Sequence, residues 1–409
     1  MTTEPAPDLS RLPPPRLVED AEALARLVER LEREREIAVD TEADSFFHYR
    51  EKVCLIQITA GEDDWLVDPL GPFDLDALAG VFADPQRVKV FHDGEYDLSI
   101  LKREFGFRFA GLFDTRLAES ALGQPSPGLA SVLKERFGVE LDKSMQRSDW
   151  SQRPLSAKQI SYARLDTRFL IPLMHRQRVE LTERGRLEIV EGECQRLEGL
   201  EPVDRPFNPD EFVRLKGARD LSKESLQLLR ELFVLRDEAA RERDLPPFKV
   251  LANPVLIEIA RAFPRGRDAL YGLRGVSARQ LRRMERGILR AVDRARELGP
   301  LKQLPRLPSK DGTSGLDDEQ LELHERLRNW RRDAAKEAEL DSSLILNRLT
   351  MLEIARVRPA TREELAAVDG LLPWQLDAFG EPLLAVVARF EEELASGAIE
   401  PTRRRSRRG

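Results

Sequence analysis

The sequence has few of the residues that build disulfide frameworks or zinc sites. Its 409 residues include two cysteines, Cys54 and Cys194, and four histidines. Two cysteines in a chain of this length do not make a disulfide framework, so we expect both to be packing residues. No pair of cysteines stands at ligand spacing and the histidines are scattered, which argues against a structural zinc site.

The sequence also lacks a long apolar run. A helix that spans a bilayer needs about 20 predominantly apolar residues, and no stretch approaches that length. The first residues lack the apolar core of a signal peptide, and residues 1–16 contain five prolines and few apolar groups. We therefore predict a cytoplasmic protein without a membrane partner, in which residues 1–16 form a flexible N-terminal arm.

Charge, by contrast, is abundant and unevenly distributed. Charged residues make up 34% of the chain and hydrophobic residues 41%, which is typical of a modular, helix-rich protein with many solvated faces. Residues 1–205 carry a net charge of −11, residues 206–310 carry +9, and the remainder carries −5. An acidic region beside a basic region favours a polyanionic ligand. The basic region would bind the polyanion, and the acidic region would contact it through metal ions.

Residues 37–42, with the sequence IAVDTE, predict a strand that presents two carboxylates on one face. Asp40 and Glu42 are two positions apart, and side chains two apart on a strand point the same way. Neighbouring buried anions repel each other, and a bound hard cation such as Mg²⁺ or Mn²⁺ offsets this repulsion. A solvated strand end explains the same spacing and is the commoner meaning of an isolated acidic pair.

Two predicted helices supply further candidates. Asp97 falls in the first turn of a helix that begins near Gly94, where the helix dipole favours an acid even without a catalytic role. Tyr162 and Asp166 are four positions apart in a predicted helix at 158–175 and therefore share a face. Strands are predicted at 53–59, 65–67 and 88–91, and a first helix at 20–34.

Three segments in this order resemble the motifs of the proofreading-type 3′-to-5′ exonucleases that use four acids and a tyrosine, the DEDDy superfamily. The segments are AVDTEADSF, VFHDGEYDLSIL and YARLDTRFL. Within that superfamily the resemblance is closest to the ribonuclease D family and covers about residues 20–200. It implies an α/β ribonuclease H-like domain, in which a mixed sheet is flanked by helices.

The resemblance also implies roles for individual residues. Four acids would hold two divalent metal ions, Mg²⁺ or Mn²⁺: Asp40, Glu42, Asp97 and Asp166. Tyr162 would orient the attacking water by hydrogen bonding, since a phenol with a pKa near 10 is a poor base at neutral pH. Thr41 and Phe46 would contact the terminal nucleotide, Phe46 by stacking, although core packing explains Phe46 equally well.

Two other polar residues near these motifs have structural explanations. Asp114 precedes a predicted helix, and we expect it to be the helix N-cap rather than a metal ligand. His92 belongs to the second motif, but a lone histidine at a strand end is more often a hydrogen-bonded structural residue. Neither residue is therefore placed in the catalytic set.

Beyond residue 206 the strand patterns end and the sequence repeats itself at an offset of 95 residues. AARERDL at 239–245 matches AAKEAEL at 334–340, and LIEIAR at 256–261 matches MLEIAR at 351–356. Two copies of one helical bundle explain the repeat. Each copy resembles the HRDC domain, an all-α module that is found in ribonuclease D and in RecQ-type helicases.

The predicted domain bounds follow from these patterns and are given in chain order. They are an arm at 1–16, an exonuclease domain at 17–205, a first HRDC domain at 206–300, a linker at 301–316, a second HRDC-like domain at 317–400 and a basic tail at 401–409. The second copy is acidic, and we expect it to pack against the exonuclease domain.

The first HRDC copy contains a concentration of arginines that predicts contact with RNA phosphates. The arginines selected as RNA contacts are Arg274, Arg282, Arg283 and Arg286. A solvated helix face is the alternative, because charge runs often have no further role.

The sequence as a whole predicts a metal-dependent 3′-to-5′ exoribonuclease that acts by two-metal hydrolysis. The family resemblance implies RNA as the partner, with tRNA precursors and their 3′ ends as the substrate, and no obligate protein partner is evident. Two alternatives remain at this stage, a DNA 3′-to-5′ exonuclease and a noncatalytic RNA-binding scaffold. Intact acids and Tyr162 argue against the scaffold.

Overall fold

The computed structural model describes residue 9 and residues 12–124, 127–202, 206–273, 278–309 and 311–399. The chain divides into two compact units. The first contains Met1–Glu42, Val53–Pro202 and Pro308–Gly409, and the second contains Ala43–Lys52 and Val203–Leu307. Each unit has its own apolar core and is described separately.

The first unit contains a mixed sheet of six strands. The strands are β1 (Arg16–Val18), β2 (Glu36–Ala43), β3 (Val53–Ala60), β4 (Asp63–Val67), β5 (Val88–Phe91) and β6 (Leu112–Asp114). Their order across the sheet is β1-β4-β3-β2-β5-β6, with β3 and β4 antiparallel and the β1–β4, β2–β5 and β5–β6 pairs parallel. All eight residues of β3 are buried, as expected for a strand covered on both faces.

Helices cover this sheet, as the ribonuclease H-like prediction requires. They are α1 (Ala21–Glu32), α2 (Ala79–Ala83), α3 (Glu95–Phe105), α4 (Thr115–Ala121), α5 (Leu129–Phe137), α6 (Ala157–Arg168), α7 (Leu170–Glu183) and α8 (Leu187–Glu198). The side chain of Asp20 caps α1, and Leu24, Leu27 and Leu31 form the buried stripe of that helix. Both cysteines are free and buried, so they are packing residues as predicted.

The second unit consists of helices joined by turns. The helices are α9 (Lys223–Glu242), α10 (Pro247–Val250), α11 (Asn253–Ala262), α12 (Arg267–Tyr271) and α13 (Ala278–Leu298). Arg236 is buried on α9 and donates to Asn253 Oδ1 at 2.6 Å and to Leu251 O at 3.2 Å. These hydrogen bonds fix α9 against the start of α11.

The segment Ala43–Lys52, which follows β2 in the chain, belongs to the second unit. The Tyr49 hydroxyl donates to Asp237 at 2.8 Å, and Asp244 contacts His48 Nδ1 at 2.8 Å and accepts from the Tyr49 amide at 3.1 Å. The segment is therefore fixed to α9 and to the turn that follows it.

A second helical bundle lies at the end of the chain and belongs to the first unit. Its helices are α14 (Asp318–Ala338), α15 (Ser342–Ile345), α16 (Arg348–Val357), α17 (Arg362–Ala366) and α18 (Pro373–Ala395). The bounds reproduce those of α9 to α13 at the predicted offset: α11 and α16 begin at residues 253 and 348, and α13 and α18 at 278 and 373. The repeat in the sequence is thus a repeat of helices.

Backbone conformation repeats with the same period. Asp244 and Glu339 both have positive φ, at 48° and 52°, and each follows the first helix of its bundle. Phe263 and Arg358 also have positive φ, at 44° and 52°, and each ends the third helix. A residue without glycine's freedom rarely adopts this conformation, so its recurrence at equivalent positions indicates one bundle geometry built twice.

The second bundle packs against the exonuclease fold through α8, as expected. Trp374 is 7% exposed and belongs to the same apolar cluster as Ile189 and Val190 of α8. A Cβ atom added to Gly192 would lie 3.1 Å from Leu372 Cδ1. The backbone of α8 is therefore close to the start of α18. Arg186 Nη2 also donates to Ala338 O at 2.8 Å, at the carbonyl end of α14.

The structure corrects several details of the predicted elements. The helix expected at 158–175 is two helices, because the backbone leaves the helical conformation at Phe169, with φ −104° and ψ 0°. Arg16, placed in the flexible arm, begins β1, and the expected linker is partly packed, with Leu301 against the core of the second unit and Leu316 buried. The predicted tail, 401–409, lies outside the described residues.

Residues 206–273, 278–309 and 311–399 contain no strand, in agreement with the two predicted bundles. Among the helices of the described residues, none combines the length and the apolar character needed to cross a bilayer.

Candidate active site

Strand β2 carries the first two predicted catalytic acids. Ile37, Ala38 and Val39 are fully buried and anchor the strand between β3 and β5. Asp40 and Glu42 follow on alternate positions, and each keeps part of its side chain accessible. A buried central strand therefore ends in two carboxylates that point the same way, as the alternation predicted.

The third acid, Asp97, comes from the first turn of α3 and is linked to β2 by a hydrogen bond. Gly94 is the N-cap of α3 and has no side chain that could accept hydrogen bonds from the first amides of this helix. The Thr41 hydroxyl donates to Asp97 Oδ1, and both residues are buried. Thr41 stands between Asp40 and Glu42 in the sequence, so this hydrogen bond orients Asp97 relative to those two acids.

Helix α6 brings Tyr162 and Asp166 to the same place. Ser156 and Gln159 form a capping box that fixes the first turn of this helix. Tyr162 and Asp166 lie one turn apart and are hydrogen-bonded through their side chains. The second carboxylate oxygen of Asp166, Oδ2, is buried without a hydrogen-bond partner among the residues that the structure describes.

Burial raises the pKa of all four carboxyl groups, and for three of them repulsion from the others adds to the shift. Burial, followed by repulsion from Asp97, Asp166 and Glu42, raises the pKa of Asp40 well above its usual range. Burial and the charges of Asp166 and Asp97 raise the pKa of Glu42 to about 9. Burial raises the pKa of Asp97 to about 6 and that of Asp166 to about 7, with Tyr162 opposing the shift of Asp166. A buried cluster of like charges is an unfavourable arrangement that proteins retain at functional sites.

The chemistry of the donor groups fits hard divalent cations. Carboxylate oxygens suit Mg²⁺ and Mn²⁺, and within the described part of the chain no group donates a hydrogen bond to Asp166 Oδ2. The fit is one of donor chemistry and charge, because among the described residues no three acidic, histidine or cysteine side chains converge closely enough to coordinate one ion.

A shallow cavity of about 150 Å³ opens beside Tyr162 and Asp166. Its lining also includes Lys158 and Ser161 of α6 and Met145. Lys158 places a cation one turn before Tyr162 on the same helix. The cavity therefore combines a cation, a hydroxyl and an apolar surface next to the carboxylates.

The predicted substrate contacts differ in how the structure places them. The Thr41 hydroxyl is already bonded to Asp97, so contact with a nucleotide through the Thr41 backbone remains a prediction. Phe46 is 45% exposed, and the core-packing alternative for this residue is wrong. Its ring lies edge-on to that of Phe248 in the second unit, with ring centroids 6.5 Å apart.

The predicted arginine contacts belong to the second unit. Arg282, Arg283 and Arg286 are exposed on α13, whereas Arg274 lies outside the described residues. The role of all four in binding RNA remains a prediction.

Asp114 and His92 have the structural roles assigned from the sequence. The Asp114 carboxylate caps α4 by accepting from the amides of Arg116 and Leu117, at 2.8 and 3.1 Å. His92 Nδ1 lies 2.8 Å from Thr115 Oγ1, and burial lowers the pKa of His92 to about 4. A neutral, buried imidazole bonded to a threonine is suited to holding β5 against α4.

A polar network lies beneath α6 and was not predicted from the sequence. Arg164 lies between Tyr162 and Asp166 in the sequence and forms a buried ion pair with Asp64 of β4. Thr167 Oγ1 lies 2.8 Å from Thr59 Oγ1 of β3. Thr59 and Asp64 are buried polar residues in strands that are mostly apolar, and that departure from the strand pattern was the available signal.

Comparison with known proteins matches both parts of this architecture. The model of a 3′-5′ exonuclease family covers residues 15–182, and that of the HRDC domain matches twice, at 225–292 and 320–387. The ribonuclease D of Gluconacetobacter diazotrophicus is 34% identical over 297 residues, which cover 72% of this chain and 75% of that protein. The chain belongs to the ribonuclease D family.

Solved structures agree with this assignment. The crystal structure of Escherichia coli RNase D, described as an exoribonuclease involved in structured RNA processing, superposes with a TM-score of 0.64 and 27% identity over 92% of this chain and 99% of that one. The catalytic core of RRP6 from Trypanosoma brucei gives a TM-score of 0.65 and 32% identity over 73% of this chain and 84% of that chain. Membership of the ribonuclease D family makes this chain a 3′-to-5′ exoribonuclease, and the noncatalytic scaffold is set aside.

Proposed function

We propose that the protein removes nucleotides one at a time from RNA 3′ ends by hydrolysis that depends on two divalent ions, Mg²⁺ or Mn²⁺. The observation that carries the proposal is the group of four carboxylates from β2, α3 and α6, in which the charges of neighbouring acids raise the pKa of Asp40, Glu42 and Asp166. The proposed ligands are Asp40, Glu42, Asp97 and Asp166. When bound, divalent ions would offset this repulsion, acidify the attacking water and stabilise the leaving 3′ oxygen.

The residues around the carboxylates are proposed to orient the reacting groups. Burial, together with the charges of Asp166, Glu42 and Asp40, raises the pKa of the Tyr162 phenol above its usual range, so the phenol stays protonated at neutral pH. It can then orient a water by hydrogen bonding but cannot serve as the base. Thr41 holds Asp97 from the side of β2, which keeps that carboxylate in place as the substrate binds.

The first HRDC bundle is proposed to hold the RNA. Arg282, Arg283, Arg286 and Arg290 are exposed on α13. Glu285, an acid within this run, faces Arg267 and Tyr271 instead, at 3.4 and 2.7 Å. The charge of α13 is therefore available to phosphates, whose neutralisation releases counterions and makes binding depend on salt.

The cellular substrate is proposed to be a tRNA precursor with additional nucleotides at its 3′ end. This follows from family membership together with the +9 charge of residues 206–310, which suits a large folded polyanion better than a short oligonucleotide.

The decisive experiment compares RNA and DNA of one sequence, labelled at either end, with Mg²⁺ or Mn²⁺. We expect a 3′ label to be released as a mononucleotide and 5′-labelled RNA to shorten in single-nucleotide steps. Faster digestion of DNA would favour the DNA exonuclease instead. For the cellular substrate, a tRNA precursor should be shortened to its mature end and then resist digestion, and continued digestion into the acceptor stem would contradict that assignment.

A further inference from the structure

The second unit contains a cavity that the proposed catalytic chemistry does not use. Its volume is about 190 Å³, and it lies between the first half of α13 and the chain that follows α9. The lining residues are Arg243, Leu245, Lys249, Val250, Arg279, Arg283 and Met284. Four are cationic and three are apolar, so the cavity presents a positive rim around an apolar floor.

The cations at this cavity are not neutralised by neighbouring acids. Among the described residues, none of the four forms an ion pair with an Asp or Glu side chain. Asp244, which adjoins Arg243 in the sequence, faces His48 and the Tyr49 amide instead. Four positive charges around one cavity, without an acidic partner in the part of the chain that the structure describes, favour anions such as neighbouring phosphates.

The geometry of the cations supports this interpretation. Arg279 and Arg283 are four positions apart on α13 and therefore project from one face. Arg243 Nη2 donates to Arg283 O at 3.3 Å, which holds the Arg243 side chain against the same helix. Lys249 Nζ lies 3.9 Å from the centre of the Phe47 ring.

One exposed aromatic residue precedes a lining residue of this cavity in the sequence, and a second packs against the first. Phe248 precedes Lys249 on α10 and is 49% exposed. The Phe46 ring packs edge-on to it, with an interplanar angle of 72°. Phe248 is thus about half exposed, and an aromatic face accepts any unpaired base by stacking.

We propose that the surface formed by Phe46, Phe248 and the four cations of the cavity, the Phe248 surface, binds a short unpaired segment of the RNA. The cations hold consecutive phosphates, and a base stacks on Phe248. The occupant is single-stranded, because the bases of a duplex are stacked on one another and cannot cover an aromatic side chain. The inference rests on the proposed function, since it specifies which part of the RNA the first HRDC bundle holds.

The test uses the full chain with Asp40→Asn, so that RNA remains intact during the measurement. Binding of a fluorescent 12-nucleotide RNA and of a blunt RNA duplex is followed by anisotropy at several salt concentrations. The variants are Phe248→Ala and the pair Arg279→Gln with Arg283→Gln. The matched controls are Leu298→Ala, an exposed apolar residue, and Arg219→Gln, an exposed arginine of the same unit.

Phe248→Ala should weaken binding of single-stranded RNA roughly tenfold and leave both duplex binding and the salt slope unchanged. The arginine pair should reduce the steepness of the salt dependence by about 1.4, the value for two phosphate contacts of a single strand. Each variant is first checked for an unchanged thermal unfolding profile. RNA containing 4-thiouridine should also cross-link to the peptide that contains Phe248.

The inference is overturned if Phe248→Ala and the arginine pair bind both RNAs as the controls do. It is also overturned if Phe248→Ala loses duplex and single-strand affinity equally, because stacking on an unpaired base would then not be the interaction. Failure of the unmodified chain to digest RNA would instead count against the proposed function, since binding is measured in the Asp40→Asn chain.

Discussion

Arg164 donates two hydrogen bonds to one carboxylate oxygen of Asp64, from Nη2 at 2.7 Å and from Nε at 3.1 Å. Both residues are buried. The other Asp64 oxygen accepts from Thr59, at 2.9 Å. Helix α6, which carries Tyr162 and Asp166, is thereby fixed to β3 and β4 by charge and hydrogen bonding as well as by apolar packing.

Arg164→Ala should destabilise the protein and reduce turnover more than it raises KM. Removing one partner of a buried pair costs up to about 3–5 kcal/mol, and among the described residues the Asp64 charge would then be compensated only by Arg168 Nη1 at 3.7 Å. Arg26→Ala, which breaks the exposed Arg26–Glu22 pair, is the control and should cost less than about 1 kcal/mol. Urea unfolding and steady-state kinetics well below the melting temperature measure the two effects. A normal kcat in a destabilised Arg164→Ala protein would show that the pair does not position the site.

Tyr162→Phe should lower kcat by roughly 10- to 100-fold, the equivalent of losing one hydrogen bond to a charged group. Affinity for divalent ions should change little, because the four carboxylates remain. Single-turnover digestion and a metal titration separate these two quantities. Equal losses of metal affinity and turnover would instead indicate that Tyr162 maintains the carboxylate cluster.

In the presence of EDTA the protein should become less stable as the pH rises from about 4 toward 9. The pKa values of Asp97, Asp166 and Glu42, at about 6, 7 and 9, lie above the value of about 4 for an unfolded carboxyl group. These three carboxyl groups therefore bind more protons in the folded chain than in the unfolded chain, and they outnumber His92 and Lys89, whose lowered pKa values of about 4 and about 8 act in the opposite direction. The free energy of unfolding falls by about 1.4 kcal/mol per pH unit for each such proton.

Urea unfolding at intervals between pH 5 and pH 9 measures this slope. Asp40→Asn should reduce it and raise the stability at pH 8 by on the order of 1 kcal/mol, since one buried like charge is removed. Saturating Mg²⁺ should also counteract the loss, because the ion binds deprotonated carboxylates. Stability that increases toward pH 9 in EDTA would contradict the electrostatic description of the cluster.

Trp374→Ala should weaken attachment of the second bundle to α8. Truncating a buried tryptophan costs about 3–5 kcal/mol, and Trp374 shares an apolar cluster with Ile189 and Val190. Hydrogen exchange in α8 should become faster, whereas Leu349→Ala, at a residue 65% exposed, should leave it unchanged. Unaltered protection of α8 in Trp374→Ala would show that the bundle is held by other contacts.

Local patterns in the sequence predicted much of the exonuclease fold. Val88–Phe91 is a strand with the predicted bounds, and α1 has the predicted apolar stripe. β1 was missed because it has three residues, two of them exposed, which is too few for an alternation to be visible. The break at Phe169 was missed because the apolar spacing continues through it.

The site was predictable only in part, for a physical reason. Alternation along one strand places Asp40 beside Glu42, but no local pattern brings Asp97 and Asp166 to them, and the family resemblance supplied that step. The Thr41–Asp97 bond joins residues 56 positions apart, and the Arg164–Asp64 pair joins residues 100 apart. Such pairs depend on the three-dimensional path of the chain, which spacing does not encode.

Titration of Mn²⁺ into the unmodified chain, Asp40→Asn and Asp166→Asn, with digestion of 3′-labelled RNA followed in the same samples, tests the role of the carboxylate cluster most directly. The unmodified chain should bind divalent ions and digest RNA in proportion to occupancy. Both variants should lose tight metal binding and digest RNA roughly 1,000-fold more slowly, with RNA affinity largely retained. Digestion at the normal rate by either variant, or by the unmodified chain in EDTA, would contradict the assignment.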